Sequence, residues 1–299
     1  MESRPVTADD LPACVDTFYA AEDELYRRMN QPLLPRNPEA LTRLFGHILE
    51  TDPERCRLVS DSRGVRGFGM AVGRDELAFL SFLFVRPDVQ GQGLGRLLFE
   101  QCLLAQDRRA TCIEAIQSVS ASLYASRGLV PRVPIYTLVG EPGRDLPRLP
   151  GGVVLEPFAE LAARDHSRLA AEVDALDRSV LGFRRPQDHR AWNTWGRQGF
   201  LLRDDKSGAA AGYGYAHNSG RVGPVVTADE TLLLPLLGEL LRQVAAIGAW
   251  QVLVPGPAQQ TFVALLSGGL RLEGPPAIYC ATDPSIDHAR YLPASFALP

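Results

Sequence analysis

The sequence predicts a mixed α/β fold built twice along one chain, and three observations carry that reading. Helical and strand patterns alternate around an antiparallel hairpin in the first half. The stretch GEPGRDLPRLPGG, residues 140–152, is dense in Pro and Gly and has no apolar periodicity, which marks a linker. The second half then repeats the order of elements. The expected domains are 1–140 and 153–299, with a linker at 141–152; a chain of 299 residues is long enough for two cores.

In the first half, a short strand near Arg4 to Val6 precedes helical patterns from Asp9 to about Met29 and from Pro38 to Glu50. The strands CRLVSD, VRGFGMAVG and ELAFLSFLFV follow, the last two joined by a turn at Arg74 and Asp75. A glycine loop leads into a helix from Leu94 to about Gln106. After it come a strand, TCIEAIQ, a helix from Val119 to Arg127, and a closing strand from about Arg132 to Val139. In the second half, VVLEPFAELAARD matches the opening strand and helix, and the stretch from GFLLRDD to GRVGPVV supplies a comparable run of strands. TLLLPLLGELLRQVAAIGAWQVLVP matches the helix and strand after the loop, and AQQTFVALLSGGLRLEGPPAIYC parallels SVSASLYASRGLVPRVPIYTLVG.

Composition narrows the function classes. A formal charge of −4 and the absence of any Lys/Arg block argue against nucleic acid or a membrane surface as partner. Lys206 is the one lysine, so a lysine-dependent phosphate loop or Schiff base is excluded everywhere else. No apolar run approaches 18 residues and the start has no signal-peptide pattern, so a cytoplasmic protein without a membrane span is expected. The five cysteines, Cys14, Cys56, Cys102, Cys112 and Cys280, form no Cys-x-x-Cys pair, and the histidines show no metal-ligand spacing; buried free thiols and no metal are expected.

The stretch VRPDVQGQGLGRLL places Gly91, Gly93 and Gly95 where a strand gives way to a helix. The first amides of a helix have no partner within it and carry partial positive charge, so they suit a phosphate, and glycines let it approach the backbone. The spacing differs from a Walker loop, which ends Gly-Lys-Ser/Thr, and from the dinucleotide fingerprint Gly-x-Gly-x-x-Gly. The competing reading is a glycine-rich connection with no ligand. In the second half the corresponding place reads VVTADETLL, where Asp229 and Glu230 would repel an anion.

Gln90 to Gly95, after an apolar strand and RPD, closely resembles the acetyl-CoA loop of the GNAT family of N-acetyltransferases. A second motif agrees: Ser118, Ala121, Leu123, Tyr124 and Gly128 stand where the family has Asn-x-x-Ala-x-x-Leu-Tyr and a following glycine. The resemblance covers about residues 4–140, and the element order of the second half resembles tandem GNAT proteins of the YitH type, with a degenerate second copy. It implies two GNAT-like domains, each a mostly antiparallel sheet with a splayed central strand pair flanked by helices. It further implies that main-chain groups of Phe84 and Val85 pair with the pantetheine arm. The amides of Gly91, Gln92, Gly93, Leu94, Gly95 and Arg96, beside Gln90, would hold the diphosphate, and Ser118 replaces the usual Asn contact with a shorter one. Arg86, Arg96 or Arg127 could meet the outer phosphate, or simply be solvated.

The resemblance also gives Tyr124 the role of acid toward the departing thiolate. A phenol of reference pKa about 10 can protonate a thiolate whose conjugate acid lies near 8.5; the competing reading is an aromatic core residue. The base is open. Ser81 stands where many relatives carry Glu, so Glu76, Glu114 or the cluster Glu22, Asp23 and Glu24 would serve, the cluster also as a lure for an ammonium acceptor; each competes with a solvated surface charge. A covalent route through Cys102 or Cys112 is not favoured, since no His lies nearby in sequence. In the second half, Asp177, Arg184, Arg185, His189, Trp192 and Trp195 would form either acceptor-binding surface or a packed helix pair. The expected activity is direct acetyl transfer from acetyl-CoA to a primary amine, a small molecule or a protein N-terminus, by a monomer or homodimer. The alternatives are a catalytically silent acyl-CoA sensor and, more remotely, a nucleotide-dependent oxidoreductase.

Overall fold

The computed structural model describes residues 1–103, 108–143 and 146–299. The chain forms two compact units, Met1–Thr111 and Cys112–Pro299. Both are mixed α/β, with sheets flanked by helices.

The first unit runs β1 (Glu2–Pro5), α1 (Leu11–Arg28), α2 (Pro38–Thr51), β2 (Cys56–Asp61), β3 (Gly64–Arg74), β4 (Leu77–Val85), α3 (Leu94–Cys102) and β5, which spans Arg108–Glu114 and crosses into the second unit. Helix starts follow local chemistry. Asn37 caps α2 by accepting from the Ala40 amide at 3.0 Å, with Pro38 in the first turn, and Thr7 with Asp10 forms a capping box just before α1. The sheet order is β1-β2-β3-β4-β5, antiparallel except for the parallel pair β4/β5. Along β4 the period-2 alternation sorts side chains. Phe82 and Phe84 join Phe18 of α1, Phe45 of α2 and Phe68 of β3 in one aromatic cluster, while Leu83 and Val85 pack with Val59, Val89 and the α3 residues Leu94 and Leu98.

The second unit contains α4 (Ser118–Ala125), β6 (Val130–Gly140), β7 (Val153–Pro157), α5 (Phe158–Val180), α6 (Pro186–Thr194), β8 (Gln198–Asp204), β9 (Ala210–His217) and β10 (Arg221–Thr227). It continues with α7 (Leu233–Gln243), β11 (Trp250–Pro255), α8 (Gln259–Ser267), β12 (Arg271–Leu272), β13 (Ala277–Ala281) and β14 (Tyr291–Leu292). The order here is β13-β6-β11-β10-β9-β8-β7, with β12 on β6 and β14 on β10. Again one pair is parallel, β10/β11. β6 lies between β11 and β13, antiparallel to both. The strand that closes the first run of elements in sequence is therefore paired with strands from the second run. The core gathers around α7, whose Leu233, Leu236, Leu237 and Leu240 are buried against Phe200, Val222, Val252 and Leu270.

Several boundaries shift from the sequence reading. The β3/β4 turn is Asp75–Glu76, because Arg74 stays in the ladder opposite Leu77; Asp75 takes the positive φ of 47°. The strand read as TCIEAIQ starts earlier, at Arg108, and ends at Glu114. Helix α3 is described to Cys102; residues 104–106, where the sequence extends it, lie outside the described residues, as do 144–145 of the linker. The sequence shows no element pattern after β13, yet that segment contains β14. No described helix is long and apolar enough to cross a membrane.

Candidate active site

The end of β4 and the loop after it make the candidate site. The β4/β5 ladder runs from Leu77 opposite Arg108 to Leu80 opposite Thr111, where the Thr111 hydroxyl also donates to the Leu80 carbonyl at 2.8 Å; the register ends there. At that point β4 carries a bulge, for Met70 of β3 faces Phe82 and Ala71 faces Leu80, leaving Ser81 as the extra residue. The Ser81 hydroxyl is buried without a hydrogen-bond partner. Downstream, Phe84 and Val85 remain paired to Phe68 and Gly67. A parallel pair that parts after four residues, with a bulge at the parting, is a strand pair opened along the rest of β4.

The loop itself is folded back and pinned. Gln90 Nε2 donates to the Val85 carbonyl at 3.0 Å, Val89 is buried beneath, and Arg66 holds Asp88, which keeps that carboxyl below its ordinary range. Gly91 and Gly93 both adopt positive φ, 80° and 81°, and a Cβ built at either would meet nothing within 4 Å. The glycines are thus needed for the backbone turn, and the space above them is open. Gly93 is the N-cap of α3, with no side-chain cap on the helix. The amides of Leu94, Gly95 and Arg96 open that helix, so they lack intrahelical acceptors and point along its positive end. Bare backbone, open space and donor groups at one spot fit a diphosphate.

Other sequence candidates are placed as follows. Ser118 is the first residue of α4 and is exposed; Tyr124 lies on the same helix, is 4 % exposed, and its carbonyl accepts from the Leu129 amide at 3.0 Å. Burial pushes the Tyr124 phenol well above its ordinary value, so it stays protonated at every physiological pH. These two residues belong to the second unit and the loop to the first. Glu76 is exposed in the β3/β4 turn, five residues of strand from Ser81, or about 17 Å. On α1, Glu22 and Asp23 are buried and Glu24 is half-buried; Asp23 accepts from Arg36 at 2.6 Å and Glu24 from Arg28 at 2.8 Å, so both are paired rather than solvated. Burial pushes the thiols of Cys14 and Cys102 up to about 12, which leaves them unreactive. Among the described residues no group of three or more His, Cys, Asp or Glu side chains is placed to hold a metal ion.

The Asp177 cluster is a core feature and not an acceptor surface. Asp177 and Arg185 are fully buried; Asp177 accepts from Arg185, from Tyr213, and pairs with His189 Nε2 at 2.9 Å, while His189 Nδ1 meets the Tyr215 hydroxyl at 2.9 Å. Arg185 also reaches the Tyr291 hydroxyl at 3.0 Å and stacks over Trp192. Sequence reasoning found the charged half of this network. It missed Tyr213 and Tyr215, whose alternating GYGY pattern reads only as strand, and Tyr291, which stands in a segment with no element pattern.

Comparison with known proteins bears on both units. Residues 52–130 match the family model of the acetyltransferase (GNAT) domain. The chain is similar in structure to a putative acetyltransferase from Pyrococcus horikoshii, with TM-score 0.75, 18 % identity, and 100 % of this chain and 95 % of the other covered. It is also similar to a GCN5-related N-acetyltransferase from Sphaerobacter thermophilus, with TM-score 0.63, 17 % identity and coverage of 97 % and 98 %. A tandem GNAT protein from the clavulanic acid biosynthesis pathway gives TM-score 0.55 and 18 % identity, over 95 % and 99 % of the two chains. A search of curated protein sequences gave no match.

Proposed function

We propose that this chain, a member of the GNAT superfamily with the family's domain at residues 52–130, is an acyltransferase that moves acetyl from acetyl-CoA to a primary amine. The observation that carries the reading is the pinned loop from Gln90 to Arg96, with positive φ at Gly91 and Gly93 and open space above both, opening α3 at the end of a strand that parts from its parallel neighbour. Those amides would hold the diphosphate, and Phe84 and Val85 the pantetheine arm; the Val85 carbonyl already accepts one bond from Gln90 and has a second lone pair. Acetyl-CoA supplies the activated acyl thioester.

The neutral amine attacks the thioester carbonyl directly, the new C–N bond forms and the C–S bond breaks. The ammonium proton leaves to solvent. Tyr124 is given the proton transfer to the departing thiolate by its place in the motif from Ser118 to Gly128, and solvent returns to it the proton that the ammonium released. With its pKa raised by burial it acts as a hydrogen-bond donor that strengthens as thiolate charge develops, and it does not ionise beforehand. Glu76, at the far end of β4, would take part only through a chain of waters. Glu22, Asp23 and Glu24 are proposed as the acidic lining that favours a cationic acceptor. The acceptor class is a small amine or a protein N-terminus, and the domain division at 141–152 is retained as a proposed repeat boundary.

One test separates transfer from sensing. Acetyl-CoA should stabilise the protein against heat, with ligand at 100 times its dissociation constant adding about 2.7 kcal/mol, and NAD should not. An amine panel should then release free thiol. Stabilisation without thiol release from any amine would favour the sensor, whose support is the serine at positions 81 and 118.

A further inference from the structure

The second run of elements has its own parallel pair joined through a helix, in chain order β10, α7 and β11, as the first has β4, α3 and β5. Its strands part sooner: the β10/β11 register holds one pair, Arg221 opposite Gln251. Beyond it β10 has a different neighbour. β14 pairs antiparallel with it, Val225 opposite Leu292 and Val226 opposite Tyr291, the Thr227 amide donates to the Arg290 carbonyl at 3.0 Å, and β14 also touches β11. At Gly223, with φ 111°, a Cβ would stand 2.6 Å from the Pro293 carbonyl oxygen, so the segment lies directly on the backbone there.

This segment is held as core. Ile286, His288, Tyr291, Leu292, Ala294, Ala297 and Leu298 are buried, Tyr291 is tied to the buried Arg185, and Arg185 also donates to the Pro299 carbonyl. Arg290 is tied to Asp287 at 2.7 Å and to the Ala228 carbonyl at 3.0 Å. The turn that leads into α7 is taken as well. The Asp229 carboxylate accepts from the Thr231 amide at 2.9 Å and from its hydroxyl at 2.8 Å, occupying a donor that an anion in this turn would need, and the Leu232 amide donates to the Asp229 carbonyl at 3.1 Å.

We infer that residues 286–294 are a built-in substitute for a pantetheine arm: they fill the opened strand pair of the second run, while Asp229 stands in for the diphosphate, so that each chain offers a single acyl-CoA site. The inference rests on the proposed reading of the first run. An extended peptide satisfies the edge groups of β10 as an added strand does, and a ligand would have to displace paired, buried backbone.

The test uses the full chain. Calorimetric titration with acetyl-CoA should give one ligand per chain for the wild type and none for Gly93→Val. Hydrogen exchange read by mass spectrometry should show 286–294 as slow as β10, with and without saturating acetyl-CoA. Two ligands per wild-type chain, or one retained by Gly93→Val, would overturn the inference, as would exchange in 286–294 as fast as in the exposed turn at 205–207. No binding by the wild type would count against the reading of the first run alone, and slow exchange in 286–294 would then still support the filled strand pair.

Discussion

β4 and β10 start from the same plan and end differently. Each is antiparallel to the strand before it, parallel to one after it, and followed by a helix. After β4 come glycines with positive φ that lead straight into α3; after β10 come Asp229, which caps the turn before α7, and a strand from 65 residues downstream in the chain, Tyr291 opposite Val226. The helices that follow differ in the same sense. In α4 the Leu129 amide donates to the Tyr124 carbonyl at 3.0 Å and Gly128 has φ 85°; in α8 the Leu270 amide donates to the Leu265 carbonyl at 3.0 Å and Gly269 has φ 101°. Leu265 therefore takes the place of Tyr124, with the same backbone geometry and no acidic proton. The backbone hydrogen bond is kept in both runs while the side chain changes from a phenol to an alkyl group. What distinguishes the two runs is which donors are left for a ligand.

The comparison can be broken most sharply at Tyr124. Tyr124→Phe should slow acetyl transfer by about 10² to 10⁴ with the acetyl-CoA dissociation constant unchanged, whereas Leu265→Ala should affect stability alone. Steady-state kinetics beside titration decides this, and an unchanged kcat in Tyr124→Phe would remove the acid. Next in size is the buried ion pair that anchors the second unit. Asp177→Asn leaves Arg185 charged and buried, and should cost about 3–5 kcal/mol in urea unfolding while acetyl-CoA affinity is kept. An affinity loss there would mean that the second unit feeds the binding site.

A third contrast lies between glycines. Gly93→Val should weaken acetyl-CoA at least about 10²-fold, the loss of two charge-assisted bonds at about 1.5 kcal/mol each, with little change in melting temperature beyond the strain of positive φ. Gly223→Val, pressed against Pro293, should do the reverse. The smallest effect is a pH dependence. Burial lowers His288 from 6.5 to about 4, so the unfolded chain binds the proton more tightly than the folded one. The stability this histidine contributes is complete above pH 6.5 and falls as the pH drops toward 4, by roughly 2 kcal/mol between pH 6.5 and 5. His288→Asn should flatten that slope in urea melts, and a slope equal to the wild type would show that the histidine is not the titrating group.

Much of the first run was legible because its signals are local. CRLVSD coincides with β2, and Pro38 marks the start of α2. The loop from Gln90 to Gly95 could be read because a turn of positive φ demands glycine wherever it occurs. Other features gave no local sign. Asp177, Arg185 and His189 read equally as acceptor-binding surface or as a packed helix pair until Tyr213, Tyr215 and Tyr291, from distant strands, close around them. Glu22 and Asp23 similarly read as exposed charge and are buried.

The sequence by itself determined most of the order of helices and strands and the glycine turn at Gly91 and Gly93, since periodicity, capping and glycine conformation are properties of neighbouring residues. Only the tertiary structure decided that β6 joins the sheet of the second unit and that residues 286–294 lie along β10. Strand pairing is set by which edges remain open after the rest of the chain has packed, and backbone hydrogen-bond groups carry no residue-specific mark by which a sequence could announce their partner.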